Sequence, residues 1–540
     1  MIFKSPYADV TIPDVSLPRL VLDRLNRYGD KPALIDGLTD RVITYRQLSA
    51  AIQRAAAGLS QRGLRQGDVF AIYSPNLPEY VVAFHAVLLA GGVLTTLNPL
   101  YTVDEVVDQL NDCQAKYLLT ISKFLDNAKA AAAQCGSIQE IFTFDPAPGV
   151  TPFAALMAGD GRAPEAPVPD VPINPAEDVA VLPYSSGTTG LNKGVMLTHR
   201  NVVANVLQCD GVTDVDTVSE VDRIIGVLPF YHIYGMGVIV TLSLVRGATI
   251  VTMPRFDLEQ FLALIQKHKI TRIHLVPPIL VALAKHPLVG KYDLSSLVEL
   301  SSGAAPLSAE LAQEVMRRLG CSVIQGYGMT ETSPITHVYD RTLAQADKRG
   351  SVGPLLPNTE AMIVDVASGR PVGVGERGEL WIRGPQVMKG YLNNPAATAA
   401  TLDAEGWLHT GDIGYADEQS FFFIVDRLKE LIKYKGYQVA PAELEALLLQ
   451  HPAVADVAVI ASPDEEAGEV PKAVVVRKAE VTPEALMAWV AERVPPQRKI
   501  RRLEFIDAIP KSAAGKVLRR VLVDQERERA QAAASAAGVE

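Results

Sequence analysis

The stretch YSSGTTGLNKGVMLTHRN, residues 184–201, places four hydroxyl groups, three glycines and one lysine within residues 185–194. Glycine lets a backbone turn tightly and bring its N–H groups close to an anion, and hydroxyls and lysine add side-chain donors. In the commonest phosphate-binding loop, Gly-Lys-Ser/Thr opens directly into a helix. Here Lys193 follows Asn192 and precedes a strand-like GVMLT, and Thr198 suits the N-cap of a following helix. We therefore predict a phosphate-binding hairpin of another type rather than an ordinary surface turn.

Length and composition indicate a globular protein of more than one domain. The chain has 540 residues, too many for one ordinary hydrophobic core, with 48% apolar and 21% charged residues. Its 51 basic and 61 acidic side chains give a net charge of −10, which argues against a nucleic-acid or membrane-surface binder. The four cysteines form no CxxC pair, so we expect reduced thiols in a cytoplasmic protein, without a disulfide framework or zinc site.

No segment has the pattern of a secretion signal or of a membrane span. The first residues, MIFKSPYADVTIPDV, lack a basic region followed by an apolar one. The longest apolar run, residues 81–97, contains His85 and two glycines, so a buried helix and its exit turn are predicted instead. The last residues are charged, then Ala-rich, without a peroxisomal tripeptide, and we expect a flexible tail from about residue 525. We predict no integral membrane segment, no nucleic-acid partner, and a monomer or homodimer.

The apolar patterns along the chain predict a large α/β domain followed by a small α+β domain. Helical segments such as residues 48–62 and 79–89 alternate with strand-like ones such as residues 69–73, as in an α/β protein with mixed sheets. Residues 146–175, rich in proline and alanine, are expected to be a surface connection. After Pro441 a helix, two strands, a helix and a strand follow within about a hundred residues, a usual domain size. We place the boundary between residues 428 and 429, which gives domains 1–428 and 429–540.

Five further clusters place glycines beside polar or aromatic groups. They are PFYHIYGMG (229–237), SSGAAPL (301–307), QGYGMTET (325–332), GWLHTGD (406–412) and PKSAAGK (510–516). Each taken alone has an ordinary structural explanation, such as an aromatic core segment, a helix cap or an exposed basic turn. Their joint occurrence in this order, together with the 184–201 stretch, indicates a shared chemical function.

In this order the chain resembles the adenylate-forming superfamily of acyl- and aryl-CoA synthetases, luciferases and peptide-synthetase adenylation domains, and most of all its 4-coumarate–CoA ligase-like branch. The resemblance is carried by SSGTTGLNKGVMLTH, GYGMTE, WLHTGD, VDRLKELIKYKGYQVAPAELE and PKSAAGK, and it extends from about residue 20 to about residue 520. It implies a large N-terminal domain of mixed sheets flanked by helices and a small, mobile α+β C-terminal domain. It also implies an ATP-dependent ligase, with Mg²⁺ as cofactor and ATP and CoA as co-substrates, that adenylates a carboxylic acid and then forms its CoA thioester.

The resemblance assigns residues to the first half-reaction, in which the carboxylate attacks the α-phosphorus of ATP and pyrophosphate leaves. All reactants are anions, so catalysis needs charge neutralisation and alignment. The residues implied at the β- and γ-phosphates are Ser185, Ser186, Gly187, Thr188, Thr189 and Lys193. Those implied at the rest of the nucleotide are Gln325, Gly326, Tyr327, Thr330, Asp412 and Arg427. Thr188 and Glu331 are the implied Mg²⁺ positions, and Lys516 is the implied catalytic lysine at the α-phosphate and the substrate carboxylate.

For thioester formation the resemblance implies that the small domain rotates about a hinge at Lys429 and withdraws Lys516. Lys429, Lys433 and Gln438 are implied as further nucleotide-binding residues, the last two also as catalytic ones. The implied CoA contacts are Lys435, Gly436 and Arg255. His232 is implied as a catalytic residue in the channel where the acyl group and the thiol meet, either as a base or by orienting the reactants.

The implied acyl pocket leaves the substrate open. Its residues are Tyr234, Val238, Ser301, Ala304, Gly328, Pro334 and Ile335. Four of them fit an aryl pocket, whereas Val238, Ser301 and Ile335 depart from the residues usual in the plant enzymes. We expect an aromatic, 4-coumarate-like acid or, as the alternative, a medium- or long-chain fatty acid. For the acyl acceptor, the alternative to CoA is an amine or a carrier-protein thiol. A third hypothesis is a binding protein without catalytic turnover.

Overall fold

The structure is a computed structural model that describes residues 1–157, 170–186, 192–212, 218–305, 307–338, 348, 350–435, 437–464, 466–511 and 516–537. The predicted site residues Gly187, Thr188, Thr189 and Gly436 lie outside these ranges. Within the described ranges, no helix combines the length and apolarity that crossing a membrane requires.

The first 212 residues alternate short strands with helices. In chain order these are β1 (Phe3–Lys4), α1 (Leu17–Leu25), β2 (Pro32–Asp36), β3 (Val42–Thr44), α2 (Tyr45–Gln61), β4 (Val69–Tyr73), α3 (Pro78–Leu89), β5 (Val93–Leu97), α4 (Val103–Cys113), β6 (Tyr117–Thr120), α5 (Leu125–Ala132), β7 (Glu140–Thr143), β8 (Thr151–Pro152), β9 (Val179–Leu182), β10 (Tyr184–Ser186), β11 (Asn192–Thr198) and α6 (His199–Gly211). A first sheet has the order β10-β11-β9-β5-β4-β6-β7-β8, parallel from β9 to β8 and antiparallel at β10 and β11. The predicted α/β alternation is confirmed here.

The strand and helix predicted after the phosphate-binding stretch are both present. Lys193 lies in β11, and α6 begins directly after Thr198. The Asn201 N–H donates to Thr198 Oγ1 at 3.2 Å, and the Thr198 N–H donates to Asn201 Oδ1 at 2.9 Å. This reciprocal pair satisfies two of the N–H groups that a helix start leaves without partners. β10 and β11 pair antiparallel, Ser185 opposite Lys193, which gives the predicted hairpin.

Two segments contain more regular structure than expected. The apolar run 81–97 holds the buried helix α3 and its turn, as predicted, but then continues as the buried strand β5. The connection 146–175 contains β8 and a 3₁₀ turn, Phe153–Leu156, whose two end residues are buried. That turn packs so closely on α2 that a Cβ at Gly58 would lie 2.2 Å from the Leu156 carbonyl oxygen. Strand β8 and the 3₁₀ turn are both too short to show a periodic pattern in the sequence.

A second sheet faces the first across a layer of helices. Its further elements are β12 (Arg223–Gly226), a π-helix (Gly235–Leu242), α7 (Ser243–Arg246), β13 (Thr249–Thr252), α8 (Leu258–His268), β14 (Arg272–Leu275), α9 (Pro277–Lys285), β15 (Glu299–Ser302), α10 (Ala309–Leu319), β16 (Ser322–Gly328), a 3₁₀ turn (Thr330–Thr332) and β17 (Ile335–Val338). The strand order is β17-β16-β15-β14-β12-β13-β2-β3, parallel except at its two ends. α3 contacts β5 of the first sheet and β2 of the second, so both sheets share one hydrophobic core.

A third sheet is antiparallel throughout and ends where the small domain begins. Its further elements are β18 (Glu360–Val364), β19 (Gly378–Arg383), β20 (Gly390–Tyr391), α11 (Pro395–Thr401), β21 (Leu408–Ala416) and β22 (Phe422–Arg427). The strand order is β1-β18-β19-β21-β22. Strand β20 does not belong to this sheet and pairs with β11 of the first one. The carboxyl end of β22 carries Arg427, one residue before the predicted boundary.

The small domain has the predicted α+β composition. Its elements are β23 (Ile432–Tyr434), β24 (Tyr437–Val439), α12 (Pro441–Leu448), β25 (Val454–Asp464), β26 (Gly468–Arg477), α13 (Pro483–Ala491), β27 (Arg502–Phe505) and α14 (Arg519–Ala537). Four strands form the order β24-β23-β26-β25, and β27 pairs parallel with β26. Buried Glu526 in α14 pairs with Lys472 and accepts from Ser462 Oγ at 2.6 Å, so the helix is anchored past residue 525. The flexible tail stays a prediction for the residues beyond it, and so does the boundary at residues 428 and 429.

Candidate active site

Asp412 is the centre of the first group of predicted nucleotide residues. The β21–β22 register places it opposite Arg427, whose Nε lies 3.4 Å from Asp412 Oδ1. The Tyr327 hydroxyl donates to Asp412 Oδ2 at 2.5 Å, and the Asp412 N–H donates to Thr410 Oγ1 at 3.0 Å. Burial raises the pKa of Asp412, and Arg427 and Tyr327 act against this rise. The Asp412 carboxylate is thus buried and held in place by charge and hydrogen bonds.

Lys516 enters this group from the small domain. Burial lowers the pKa of its ammonium and Arg427 lowers it further, while Asp412 and Glu331 act in the opposite direction. The structure therefore brings Lys516, Asp412, Arg427 and Glu331 together, as the sequence predicted for the first half-reaction. Glu430 also raises this pKa, so three carboxylates and one arginine set the electrostatics of the partly buried ammonium.

Arg519, which the sequence analysis did not single out, fixes the segment that carries Lys516. Its guanidinium reaches Glu445 at 2.6 and 2.7 Å and Glu430 at 2.8 Å. Glu430 follows the predicted hinge residue Lys429, and Glu445 belongs to α12. Bidentate arginine–carboxylate pairs fix orientation as well as distance. Arg519 thus joins the start of α14, three residues after Lys516, to the hinge segment.

Glu331 and Lys193 form the second group, on the phosphate side. The Tyr391 hydroxyl donates to Glu331 Oε1 at 2.9 Å, and Ser185 Oγ donates to the same oxygen at 3.3 Å. Lys193 Nζ lies 4.9 Å from the centroid of the Tyr391 ring. Ser186 ends β10, directly before the residues that the structure does not describe. Ser185, Lys193 and Glu331 are thus gathered as predicted, with Tyr391 as an unforeseen member.

The oxygen chemistry at Glu331 fits Mg²⁺ that arrives with ATP. Among the described residues, no group of three or more His, Cys, Asp or Glu could hold a metal by itself. The Glu331 side chain is buried, and both hydroxyl donors address Oε1, which leaves Oε2 as the oxygen that can face a cation. Mg²⁺ commonly binds through one or two carboxylates together with substrate phosphates and water.

The four residues predicted for adenine and the α-phosphate lie along β16 and the 3₁₀ turn after it. Gln325 uses its amide on the backbone of Leu307, accepting from its N–H at 3.1 Å and donating to its carbonyl at 3.2 Å. It thereby fixes the SSGAAPL segment rather than pointing a free amide at a ligand. Tyr327 packs edge-on against His337, with ring centroids 5.6 Å apart. Gly326 and Thr330 lie on the two sides of Tyr327 along the chain.

His232 lies beside Lys516 and is neutral at ordinary pH. Burial lowers its pKa to about 4, and the charge of Lys516 contributes to the shift. Its Nδ1 accepts the Tyr234 N–H at 3.3 Å. A base with such a pKa takes up a proton poorly near pH 7. Of the two predicted roles, orientation of the reactants is therefore favoured over general-base catalysis.

The predicted acyl-pocket residues lie in or beside four elements, the π-helix, β15, β16 and β17, which approach one another closely at glycines. A Cβ at Gly303 would lie 2.8 Å from the Tyr234 ring, and one at Gly237 would lie 3.1 Å from Pro334 Cδ. A Cβ at Gly328 would lie 1.9 Å from the Pro334 carbonyl oxygen, so only glycine fits there. The remaining pocket residues continue these elements: Val238 in the π-helix, Ser301 in β15, Ala304 after Gly303 and Ile335 in β17.

Two of the predicted pocket residues, Tyr234 and Ser301, contact polar side chains that the sequence analysis missed. The Tyr234 hydroxyl lies 3.2 Å from His274 Nδ1, and Ser301 Oγ donates to Glu299 Oε1 at 3.2 Å. β14 and β15 pair in parallel with His274 opposite Ser301, so the two face the same way. Behind them the buried Arg272 pairs with Glu299 at 3.0 Å and with Asp222 at 3.2 Å. Arg272 and His274 are polar positions in the short strand β14, and only the contacts in the folded protein reveal their partners.

The hairpin residues Lys433, Lys435 and Gln438, and Arg255, all predicted for the second half-reaction, are exposed in this orientation of the small domain. Lys433 and Gln438 face each other across the β23–β24 hairpin and are exposed. The Lys433 N–H donates to Glu469 at 2.8 Å, and the exposed Lys435 pairs with Glu466. Arg255 is exposed in the loop after β13. The structure thus presents Lys516, not the hairpin, to Asp412, and the role of the hairpin stays a prediction.

Comparison with known proteins places the chain in a family. The family model described as AMP-binding enzyme matches residues 21–392, and the one described as AMP-binding enzyme C-terminal domain matches residues 443–516. 4-Coumarate–CoA ligase 1 of Petroselinum crispum is 44% identical over 532 residues, which cover 97% of this chain and 96% of that protein. 4-Coumarate–CoA ligase of Pinus taeda is 42% identical over 531 residues, 96% of this chain and 97% of that protein. The chain belongs to the AMP-binding enzyme family.

Solved structures share the whole fold. ATP-bound MatB from Rhodopseudomonas palustris superposes with a TM-score of 0.84 at 30% identity, over 95% of this chain and 99% of that one. The anthranilate CoA ligase AuaEII in complex with anthranoyl-AMP has a TM-score of 0.86 at 25% identity, over 97% and 99%. The protein is an ATP-dependent carboxylate–CoA ligase of the AMP-forming, acid–thiol type, which is favoured over a ligase that uses an amine or carrier protein.

Proposed function

We propose that the enzyme activates an aromatic carboxylic acid that carries a hydroxyl at its far end, of the 4-coumarate type. The observation that carries this proposal is the polar row of Tyr234, His274 and Ser301 beside the predicted acyl pocket. Among the described residues, no group hydrogen-bonds to the buried His274 Nε2. A hydroxyl on the substrate would supply that partner, whereas an alkyl chain would not. The names of the relatives that are 44% identical to the chain support the same substrate class.

In the proposed first half-reaction, the substrate carboxylate attacks the α-phosphorus of ATP in line with the departing pyrophosphate. Lys516 donates hydrogen bonds to the α-phosphate and the carboxylate as negative charge accumulates between them. Asp412 accepts from the ribose hydroxyls, with Arg427 holding it in place. Lys193 and Ser185 hold the leaving phosphates, and Glu331 with Thr188 would hold Mg²⁺, which would supply charge neutralisation at these phosphates.

In the proposed second half-reaction, the CoA thiol attacks the acyl adenylate and AMP leaves. The small domain turns at Lys429, so that Lys433 and Gln438 replace Lys516 at the nucleotide. Lys435, Gly436 and Arg255 then bind CoA. His232, neutral because burial lowers its pKa to about 4, orients the acyl group and the thiol. This sequence of events uses both lysine-bearing faces of the small domain, one after the other.

The substrate proposal is tested by pyrophosphate release with 4-hydroxycinnamate, cinnamate and octanoate at saturating ATP and Mg²⁺. We expect kcat/KM for 4-hydroxycinnamate to exceed that for cinnamate by about tenfold or more, because a missing hydroxyl leaves a buried polar group unpaired. In His274→Leu the ratio of kcat/KM for 4-hydroxycinnamate to that for cinnamate should fall towards one. His85→Leu is the matched control, since His85 is also buried but lies in α3.

Two results would overturn the proposal. A wild-type enzyme that prefers octanoate would place a fatty acid in the pocket. An equal preference for the hydroxylated and the plain cinnamate, unchanged in His274→Leu, would remove the polar row from substrate recognition. The ligase activity itself would stand in both cases, since it does not depend on which acid is preferred.

A further inference from the structure

Tyr391 touches two predicted ATP-binding groups at once. Its hydroxyl donates to Glu331 Oε1 at 2.9 Å, and its ring face lies 4.9 Å from Lys193 Nζ. The tyrosine is buried, with 7% of its surface exposed. No sequence motif identified above includes it, because it lies in the segment KGYLNNP, residues 389–395.

The backbone around Tyr391 is fixed on both sides, so its contacts with Lys193 and Glu331 are defined by the fold. β20 pairs with β11, Tyr391 opposite Val195, two residues after Lys193. The Leu392 N–H donates to the Gly194 carbonyl at 2.8 Å, and the Tyr391 N–H donates to Thr398 Oγ1 at 2.9 Å. The strand that carries the phosphate lysine and the strand that carries the tyrosine therefore move as one unit.

The hydroxyl of Tyr391 settles the orientation of the Glu331 carboxylate. Tyr391 and Ser185 both donate to Oε1, which directs Oε2 away from these donors. A group that ligates Mg²⁺ through one oxygen is commonly oriented by hydrogen bonds to the other, and loss of such a partner typically weakens metal binding about 10–100-fold. The Tyr391 ring in turn attracts the Lys193 ammonium through its negatively polarised face.

We propose that Tyr391 is a positioning residue for Mg²⁺–ATP: its hydroxyl orients Glu331 for the metal ion and its ring orients Lys193 for the phosphates. This inference rests on the proposed roles of Glu331 and Lys193 in ATP binding. It assigns two separable contributions to one side chain, one that depends on the metal ion and one that does not.

The test is equilibrium binding of ATP, by calorimetry without any carboxylic acid, over a range of MgCl₂ concentrations and in EDTA. Tyr391→Phe keeps the ring and removes the hydroxyl. We expect the Mg²⁺ concentration for half-maximal enhancement of ATP binding to rise about tenfold, with binding in EDTA unchanged. Tyr391→Leu removes both features, and we expect it also to weaken binding in EDTA by roughly two- to thirtyfold.

Tyr45→Phe is the matched control, because it removes another buried tyrosine hydroxyl, one that donates to the Ala248 carbonyl away from the site. It should leave both binding measurements at the wild-type values. A normal Mg²⁺ dependence in Tyr391→Phe overturns the proposal, and so does an equal loss in EDTA for the two Tyr391 variants. If the wild-type protein binds no ATP in any condition, the proposed function fails rather than the role of Tyr391.

Discussion

Two lysine-bearing faces of the small domain have opposite environments. Lys516, at the end of the PKSAAGK segment, is partly buried and within electrostatic reach of Asp412 and Glu331, and burial lowers the pKa of its ammonium. The β23–β24 hairpin instead holds Lys433 and Lys435 in solvent, the latter paired with Glu466. Both segments belong to one compact domain, so they cannot occupy the nucleotide site together.

The contrast bears on which half-reaction this orientation of the small domain would serve. Burial disfavours the charged form of an ammonium, and the approach of an anionic substrate favours it. The environment of Lys516 therefore favours binding of a further negative charge. The hairpin lysines are solvated, so an anion would contact them only after the small domain has turned. We infer that the structure represents the orientation for adenylate formation.

Of the variants considered, Lys516→Ala should change the ratio of the two half-reaction rates most. We expect pyrophosphate release to fall by about 10²–10³, the usual effect of losing one preorganised contact to a developing charge. Thioester formation from a presynthesised acyl adenylate should stay near the wild-type rate, because we propose that this step uses the hairpin and not Lys516. Rapid-quench measurements of both steps decide the matter, and a parallel loss in both would contradict the assignment.

Lys429→Pro should limit the rotation that exchanges the Lys516 face and the hairpin face of the small domain at the nucleotide site. Proline restricts φ to about −65° and removes a backbone N–H, which narrows the set of hinge geometries. If the orientation seen here remains accessible, pyrophosphate release is retained and thioester formation falls by about tenfold or more. Single-turnover measurement of acyl-AMP and acyl-CoA is the readout, and normal thioester formation would exclude Lys429 as the hinge.

Glu443→Gln should sharpen the comparison with a smaller effect. Glu443, in the first turn of α12, pairs with Arg377 of the large domain at 3.0 Å and with Arg498 at 2.7 Å. Partly exposed pairs contribute about 0.2–1 kcal/mol, so we expect pyrophosphate release to fall by no more than about fivefold as this orientation becomes less populated.

A matched control for this variant is Arg62→Ala, which removes the similarly exposed pair with Glu140 within the large domain. Thioester formation from added acyl adenylate should hold or rise in Glu443→Gln and stay unchanged in the control. Equal losses of pyrophosphate release in both variants would mean that the pair at Glu443 has no special part in domain orientation.

The sequence predicted those parts of the site that lie within continuous motifs. Ser185 and Lys193 share one stretch, and Asp412 and Lys516 each end a glycine-containing cluster. Their chemistry is visible because glycines and charged groups are adjacent in the chain. The alternation of helices and strands was equally visible, since α2 has one apolar face at helical spacing and β4 is a short apolar run.

The residues that the sequence did not reveal contact partners that are distant in the sequence. Tyr391 reaches Glu331, 60 residues away, and His274 reaches Tyr234, 40 residues away. Neither has a neighbouring residue that hints at its partner, because the partners meet only when separate strands pair. Short elements such as β8 were missed for a different reason: two residues cannot establish a period.

The tight fit at Gly328 restricts how the substrate range of this enzyme can be redesigned. Because backbone atoms of Pro334 occupy the space a side chain would need, no substitution at residue 328 can narrow the pocket without displacing the β16–β17 turn. Libraries aimed at new acids are better directed at Val238, Ser301 and His274, whose side chains can change in volume and polarity while the backbone stays in place.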